Sequence, residues 1–501
     1  MANQSHIGSF AVRSALIQGV EAVPITVEVS CTSGLVGYNL IGMADSMVME
    51  ARYRVRCAIT ACGYENPRLN VTINLAPAEI RKTGTGFDLA IAIAILAASG
   101  QIPTSGLDDC LFVGELGLEG QVCPVRGDMA YAMLAKEMGL TLVSAYAARG
   151  SIRGACDRKV IDGLGVMRLG VDSLGGERIA GTAAEEPPRD AASLLDYRDV
   201  CDQEIAKRAM VIAATGRHGL MMVGPPGAGK TMLARRLPTI LPPLDERARE
   251  EALLVHSVAG QQSSGIERGE PPFRAPHHSI SAAGLLGGGR PVTPGEVSLA
   301  HRGVLFLDEL PEFANNVLQS LRQPMEDGCV CLSRAEGKYV FPCDFMLVTA
   351  ANPCPCGHLG DPGHPCTCAP ARVESYQARM GGPLANRIDM HIDVARPASS
   401  KVIEGGSGMS SKEMSELVLA GREFAAHRKK GSVGRTRSVA ESMEPAARQA
   451  FETIASRLSM GGRAIARVSR VARTIADIEH HDLITRDDIV EACSYRGRAH
   501  G

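Results

Sequence analysis

"LMMVGPPGAGKTMLA", residues Leu220–Ala234, decides how the rest of the chain is read. Four apolar residues lead into Gly224-Pro225-Pro226-Gly227-Ala228-Gly229-Lys230-Thr231, a full match to G-x-x-x-x-G-K-[ST], and a helical pattern follows. Strand, glycine-rich loop and helix in that order leave backbone N–H groups pointing at one spot beside a helix N-terminus. That geometry wraps a triphosphate. Lys230 is expected to reach the β- and γ-phosphates, and the Thr231 hydroxyl to bind Mg²⁺. ATP and Mg²⁺ are therefore the expected cofactors.

Downstream, "GVLFLDEL" (Gly303–Leu310) is a continuous apolar strand that delivers Asp308 and Glu309 at its carboxyl end, where α/β sheets bind ligands. Asp308 would help hold Mg²⁺, and Glu309 would activate the attacking water. "FMLVTAANP" is another apolar strand, ending at Asn352, whose side chain is placed to touch the γ-phosphate or the water. "GGPLANRIDMHIDV" puts Arg387 in a short polar turn ahead of a strand. An arginine there is a solvated charge or, in a ring-forming ATPase, the donor to a neighbour's γ-phosphate.

Composition sets the frame. The chain has 501 residues, enough for several domains, and a net charge of −2 that gives no steering argument. Trp is absent and aromatics are 4%, which argues against a surface that stacks many bases. No signal-like start or apolar run of spanning length is seen, so a cytoplasmic protein without a membrane partner is expected. Its 15 cysteines then read as thiols. The expected class is α/β. Residues 1–172 alternate as strands do: Val23, Ile25, Val27 and Val29 fall two apart, as do Leu69, Val71, Ile73 and Leu75. Phe87–Gly100 is expected as a buried helix. Residues 173–192 read as a linker, 193–398 as the P-loop core and 399–501 as helical.

Six motifs together resemble one family: "GPPGAGKT", "FRAPHHSISAAGLLGGG", "PGEVSLAHRGVLFLDELPEF", "LRQPMEDG", "NPCPCG" and "GPLANRID". They look like the magnesium-chelatase-related AAA+ proteins of the ComM/YifB type. The resemblance implies a Lon-protease-like domain (ribosomal S5 domain 2-like) over 1–172, an AAA+ core over 193–398 and a helical lid over 399–501, assembled as a hexameric ring. It also implies Asn352 as sensor 1, Arg387 as the arginine finger and Arg463 as sensor 2. Arg467, Arg470 and Arg473 share one helical face and serve packing or DNA. Asn386 and Asp202 depart from the family pattern, which often has Asp and Gly there.

The Lon likeness raises a Ser–Lys hydrolase, but the serine position falls on Gly86, with only Thr83 and Thr85 near and no lysine until Lys136. A nucleophile without a positioned base gains little, so a scaffold or binding module is expected.

Arg274–Val297 is a long, glycine-rich connection that the resemblance reads as a helix-2 insert facing a pore; His277 and His278 within it read as ordinary polar residues. Cys329–Phe345 reads as a β-hairpin with a basic tip, the pre-sensor-1 hairpin of the wider clade, where Arg334 and Lys338 touch DNA phosphates or are merely solvated. The basic run Arg422–Arg437 is weak support for nucleic acid. Cys354/Cys356 and Cys366/Cys368 form two C-x-C pairs, each able to turn two thiolates to one side, a candidate Cys₄ zinc site just after Asn352. His358 and His364 are substitutes or bystanders. The expected function is a ring-forming ATPase that translocates on single-stranded or branched DNA, and the resemblance implies a branch-migration helicase in natural transformation or recombination. The rivals are a magnesium chelatase motor subunit and a protein-remodelling ATPase.

Overall fold

The computed structural model describes residues 8–145, 156–178, 195–261, 263–334, 337–361, 363–380, 384, 387–405, 408–431 and 440–496. The N-terminal part is an eight-stranded sheet. Its strands are β1 (Ser9–Gln18), β2 (Glu21–Thr32), β3 (Gly37–Ile41), β4 (Asn70–Ala76), β5 (Cys110–Val113), β6 (Thr141–Ser144), β7 (Asp157–Val160) and β8 (Gly176–Arg178). They lie in the order β8-β7-β6-β5-β1-β2-β4-β3. The period-two residues behave as their spacing requires: Ile25, Val27, Val29, Val71, Ile73 and Leu75 are all buried on one face. That face meets α2 (Asp88–Ala98), a helix apolar almost all round and buried from Asp88 to Ala97. β8 falls inside the segment expected as linker, so the sheet reaches to Arg178; residues 179–192 lie outside the described part.

The strand reading of this region passed over α1 (Ser46–Ala61). Asp45 caps it, its carboxylate accepting from the Val48 N–H at 2.9 Å. Arg52, Arg54 and Arg56 interrupt its apolar stripe, and Arg54 turns inward to clasp buried Asp88 at 2.6 and 2.9 Å. α3 (Asp128–Met138) completes the layer.

The second sheet is the one that builds the site. β9 (Leu220–Val223), β10 (Phe273–Arg274), β11 (Val304–Leu307), β14 (Met346–Ala351) and β15 (Met390–Asp393) lie in the order β10-β11-β14-β9-β15, every pair parallel. Between β11 and β14 the chain makes the hairpin β12 (Cys329–Arg334) and β13 (Gly337–Pro342). All five carboxyl ends thus share one edge. Around this sheet run α4 (Glu204–Gly216), α5 (Lys230–Arg236), α6 (Glu246–Ala259) and α7 (Pro370–Met380).

The C-terminal segment is helical: α8 (Ser411–Gly431), α9 (Pro445–Arg457), α10 (Gly462–Ile478) and α11 (Arg486–Ser494). Val418, Phe451, Val471, Ile475 and Ile489 join Met210, Leu220, Phe306 and Val348 in one buried cluster, so these helices share the core of the parallel sheet. Residues 497–501, 432–439 and Asn386 lie outside the described part. Asp202 has φ 54°, in the left-handed region that favours glycine.

The N-terminal sheet meets the core at two places. The Gly127 and Met129 N–H groups donate to the Ser257 carbonyl and hydroxyl at 3.0 and 3.2 Å. Gln18 Nε2 donates to the Lys338 carbonyl of the hairpin at 3.1 Å. Among the described residues no helix is long and apolar enough to cross a membrane.

Candidate nucleotide site and metal centre

Three strand ends converge at the shared edge. The loop after β9 turns through Gly227 and Gly229 at φ 77° and 88°, angles that only glycine takes without strain. Lys230, 9% exposed, donates to the Gly224 carbonyl at 2.6 Å, the Pro225 carbonyl at 3.1 Å and Asn352 Oδ1 at 3.1 Å. Burial lowers the pKa of its ammonium group, while Asp308 and Glu309 pull the other way. The Thr231 hydroxyl donates to Asp308 Oδ2 at 2.6 Å. Two hard oxygens this close fit one edge of an Mg²⁺ octahedron, whose cis oxygens lie about 3 Å apart. The sequence-predicted Lys230, Thr231, Asp308 and Asn352 are therefore one constellation.

Glu309 sits beside it in a left-handed conformation, φ 51° and ψ 47°. Such strain in a non-glycine residue costs on the order of 1–3 kcal/mol and clusters at functional sites. Its half-exposed carboxylate faces His278 Nδ1 at 3.4 Å, a partner the motifs did not single out.

Arg387 is placed elsewhere. It precedes β15, at the amino end of a strand parallel to β9, whereas the phosphate loop leaves the carboxyl end of β9. Its guanidinium pairs with Glu326 of its own chain. Arg463 is exposed in the first turn of α10 and, among the described residues, forms no ion pair with the loop. The three arginines that follow bond to their own chain: Arg467 donates to the Ile388 carbonyl at 3.0 Å, Arg470, largely exposed, to Asp389 at 2.8 Å, and Arg473 to the Asp482 carbonyl at 3.0 Å. Asp389, two residues after Arg387, also faces His218 Nδ1 at 3.2 Å.

The four cysteines come together. Sγ–Sγ separations are 3.4 Å for Cys354/Cys356, 3.7 Å for Cys354/Cys366 and 3.6 Å for Cys356/Cys366. A tetrahedral ion with metal–sulfur bonds of about 2.3 Å needs an edge of about 3.8 Å, so the set fits a Cys₄ ion. N–H groups of Cys356 and Leu359 donate to Cys368 and Cys354 sulfurs at 3.4 and 3.3 Å. Backbone donors at His358 and Thr367 bring the Cys356 thiol down to about 5. His358 and His364 are not in the Cys₄ set; both face Asp361, at 3.2 and 3.5 Å. Arg396 reaches the same carboxylate at 3.4 Å and the Pro226 carbonyl of the phosphate loop at 3.2 Å. Gly357 packs so closely on Pro226 that a Cβ would lie 2.5 Å from its ring. The cysteine loop thus rests directly on the phosphate loop.

The hairpin forms as its alternation requires, burying Val330, Tyr339 and Phe341 and leaving Arg334 and Lys338 exposed; its tip, 335–336, lies outside the described part. The insert folds into a short helix, Ala282–Leu286, and a small hairpin whose Gly288 lies against the Arg334 guanidinium. In the N-terminal sheet, Gly86 faces Val113 and the Tyr131 hydroxyl, and the Thr85 hydroxyl donates to Glu115 at 2.6 Å.

Known proteins match along most of this chain. The family described as magnesium chelatase, subunit ChlI, matches residues 196–402, with further ChlI matches over 27–145 and, for the C-terminal part, 408–496. The uncharacterized protein YifB of Escherichia coli (strain K12) is 38% identical over 97% of this chain and 96% of its own length. Competence protein ComM of Haemophilus influenzae is 37% identical over 97% of each. The chain belongs to the magnesium-chelatase-related family of the ComM/YifB type. The magnesium-chelatase 67 kDa subunit of Heliobacterium mobile is a more distant relative, 29% identical over 40% of this chain and 31% of its own. As a ComM/YifB-type protein the chain is ATPase-like. One expected feature weakens: within the basic run of this family member, Arg422 donates to the Ala214 and Thr215 carbonyls and Arg428 clasps Asp477, so both are turned inward.

Proposed function

We propose that this chain is one subunit of a ring-forming AAA+ ATPase that uses ATP to move on DNA, as a branch-migration helicase in competence or recombination. The observation that carries the ATPase half is the convergence of Lys230, Thr231, Asp308 and Asn352 at one sheet edge. In this reading Lys230 binds the phosphates, Thr231 and Asp308 hold Mg²⁺, and Glu309 activates water. Arg387, at the opposite edge, serves the next subunit's ATP; Arg463 reaches back from a helical lid, residues 399–501. A site completed by a neighbour favours a ring, here a hexamer. The Cys₄ set takes a structural Zn²⁺, and with no open position it braces the phosphate loop without doing chemistry. The Lon-like sheet is a scaffold lacking a Ser–Lys dyad.

The DNA half draws on the competence relative and on exposed Arg334 and Lys338 beside the insert. The distant magnesium-chelatase match supports a second reading, a motor subunit for metal insertion; a protein-remodelling motor is the third. The test is ATP turnover alone, with single-stranded DNA and with a branched junction, using Lys230→Ala as control. Turnover that rises with DNA and falls with added salt supports the helicase. A flat response to every DNA removes it and leaves a motor for another client.

A further inference from the structure

The root of the hairpin carries sulfur chemistry that neither the nucleotide site nor the Cys₄ set uses. Cys329 and Cys331 stand two apart on β12, so strand alternation turns both side chains to one face, and their sulfurs lie 3.9 Å apart. That face looks to solvent: Cys331 is exposed and Cys329 half-buried, opposite Val340 and Pro342 in the register. The other face packs inward through Val330 and Phe341. Cys343, just past β13, goes with that inner face; it is buried, and its thiol donates to the Pro324 carbonyl at 3.5 Å. Burial, the Cys331 thiol and Asp327 raise the pKa of Cys329, with Lys338 pulling the other way. Cys331, the more open of the two, meets a reagent first.

Strand geometry says what a bond between them does. Two residues of extended strand span about 6.6 Å from Cα to Cα. A disulfide accepts Cα separations up to about 6.8 Å but favours about 5.5–6 Å, with sulfurs about 2.05 Å apart. The pair is within reach, and closing it draws β12 in by up to about 1 Å across Val330. Val330 pairs with Phe341 and Cys331 with Val340, so the pull passes to β13. The N-terminal sheet rests on that strand: a Cβ on Gly19 would lie 2.6 Å from the Val340 carbonyl oxygen, and Gln18 donates to the Lys338 carbonyl.

We propose that Cys329 and Cys331 form a modification site, a dithiol that a small-molecule disulfide oxidises to a Cys329–Cys331 bond, and that closing this bond distorts the hairpin arms bearing Arg334 and Lys338. In the first step the Cys331 thiolate attacks one sulfur of the small disulfide. A mixed disulfide forms on Cys331, and the first small thiolate leaves and takes up the proton that Cys331 gave. The Cys329 thiolate then attacks Cys331 Sγ, breaking the mixed bond. The second small thiolate leaves with the Cys329 proton. Two electrons pass from the dithiol to the reagent, which ends as two thiols.

The experiment treats the full-length protein with glutathione disulfide, alkylates the remaining thiols and digests with trypsin. Cleavage after Arg322 and Arg334 isolates residues 323–334, whose only cysteines are Cys329 and Cys331. That peptide is expected to resist alkylation and to be lighter by two hydrogens, reversibly with dithiothreitol. Amide exchange across β13 is expected to run about tenfold faster in the oxidised protein, while Cys331→Ser treated in the same way keeps the slow rate. A peptide alkylated at both cysteines, or carrying a glutathione on each, overturns the site. A Cys329–Cys331 bond with unchanged exchange in β13 overturns the distortion of the hairpin.

Discussion

His256 carries a stability consequence that its surroundings specify. It is buried in α6, its Nε2–H donates to the Leu299 carbonyl at 3.0 Å, and its Nδ1 has no partner among the described residues. Burial, with Arg274 adding to it, holds its pKa below the ordinary histidine value, against the Leu299 carbonyl and Glu296. His301 is depressed by burial and Arg302 in the same way. A proton is then taken up more readily by the unfolded chain. Stability from these two is complete above about pH 6.5 and is lost as pH falls below it, by up to about 1.4 kcal/mol per pH unit for each. The melting temperature is expected to hold near neutrality and to drop by about pH 5.5. His256→Gln, which keeps the donor to Leu299, should lose less over that interval. An equal loss in both proteins would show that the acid sensitivity lies elsewhere.

At the scale of elements, the cysteine loop and the phosphate loop form one packed unit, through Gly357 on Pro226 and Arg396 between Asp361 and the Pro226 carbonyl. Losing the Zn²⁺ proposed for the cysteine set is therefore expected to loosen nucleotide binding. Cys366→Ser, or removal of metal by a chelator, should weaken ATP affinity roughly tenfold, about 1.4 kcal/mol. Titration of a fluorescent nucleotide would measure it, and unchanged affinity would uncouple the two loops. The parts of this unit differ in how far the sequence disclosed them. Gly227, Gly229, Lys230 and the Asp308 strand were legible because their residue types are dictated locally, by φ angles, charge and apolar runs. His278, Arg396 and Asp389 were not, since each matters through a partner in another segment and no local pattern encodes register between strands. α1 was missed because Arg54, which looks like a break in an apolar stripe, is buried against Asp88. Helical spacing put Arg467, Arg470 and Arg473 on one face; only the packing showed that Arg467 and Arg470 turn to the residues ahead of β15 and Arg473 to the turn after α10.

For the whole molecule, the placement of Arg387 across the sheet from the phosphate loop predicts complementation between subunits. Arg387→Ala and Lys230→Ala chains should each lack turnover, the former through loss of a group worth about 10³ or more in rate. In the proposed ring, mixing the two variants creates interfaces that pair an intact Lys230 with an intact Arg387, so measurable hydrolysis should return. No recovery in rings shown to be mixed by native mass measurement would place both residues in one chain's site. The cysteine cluster has a different kind of reach. Its four thiols lie within Cys354–Cys368, and β15 and all the C-terminal helices come later in the chain. An ion can be captured on the ribosome as soon as that short stretch emerges, before the sheet it will support has its last strand. With the proposed Zn²⁺ in this set, metal supply during synthesis, rather than during the working life of the protein, would govern how many chains mature.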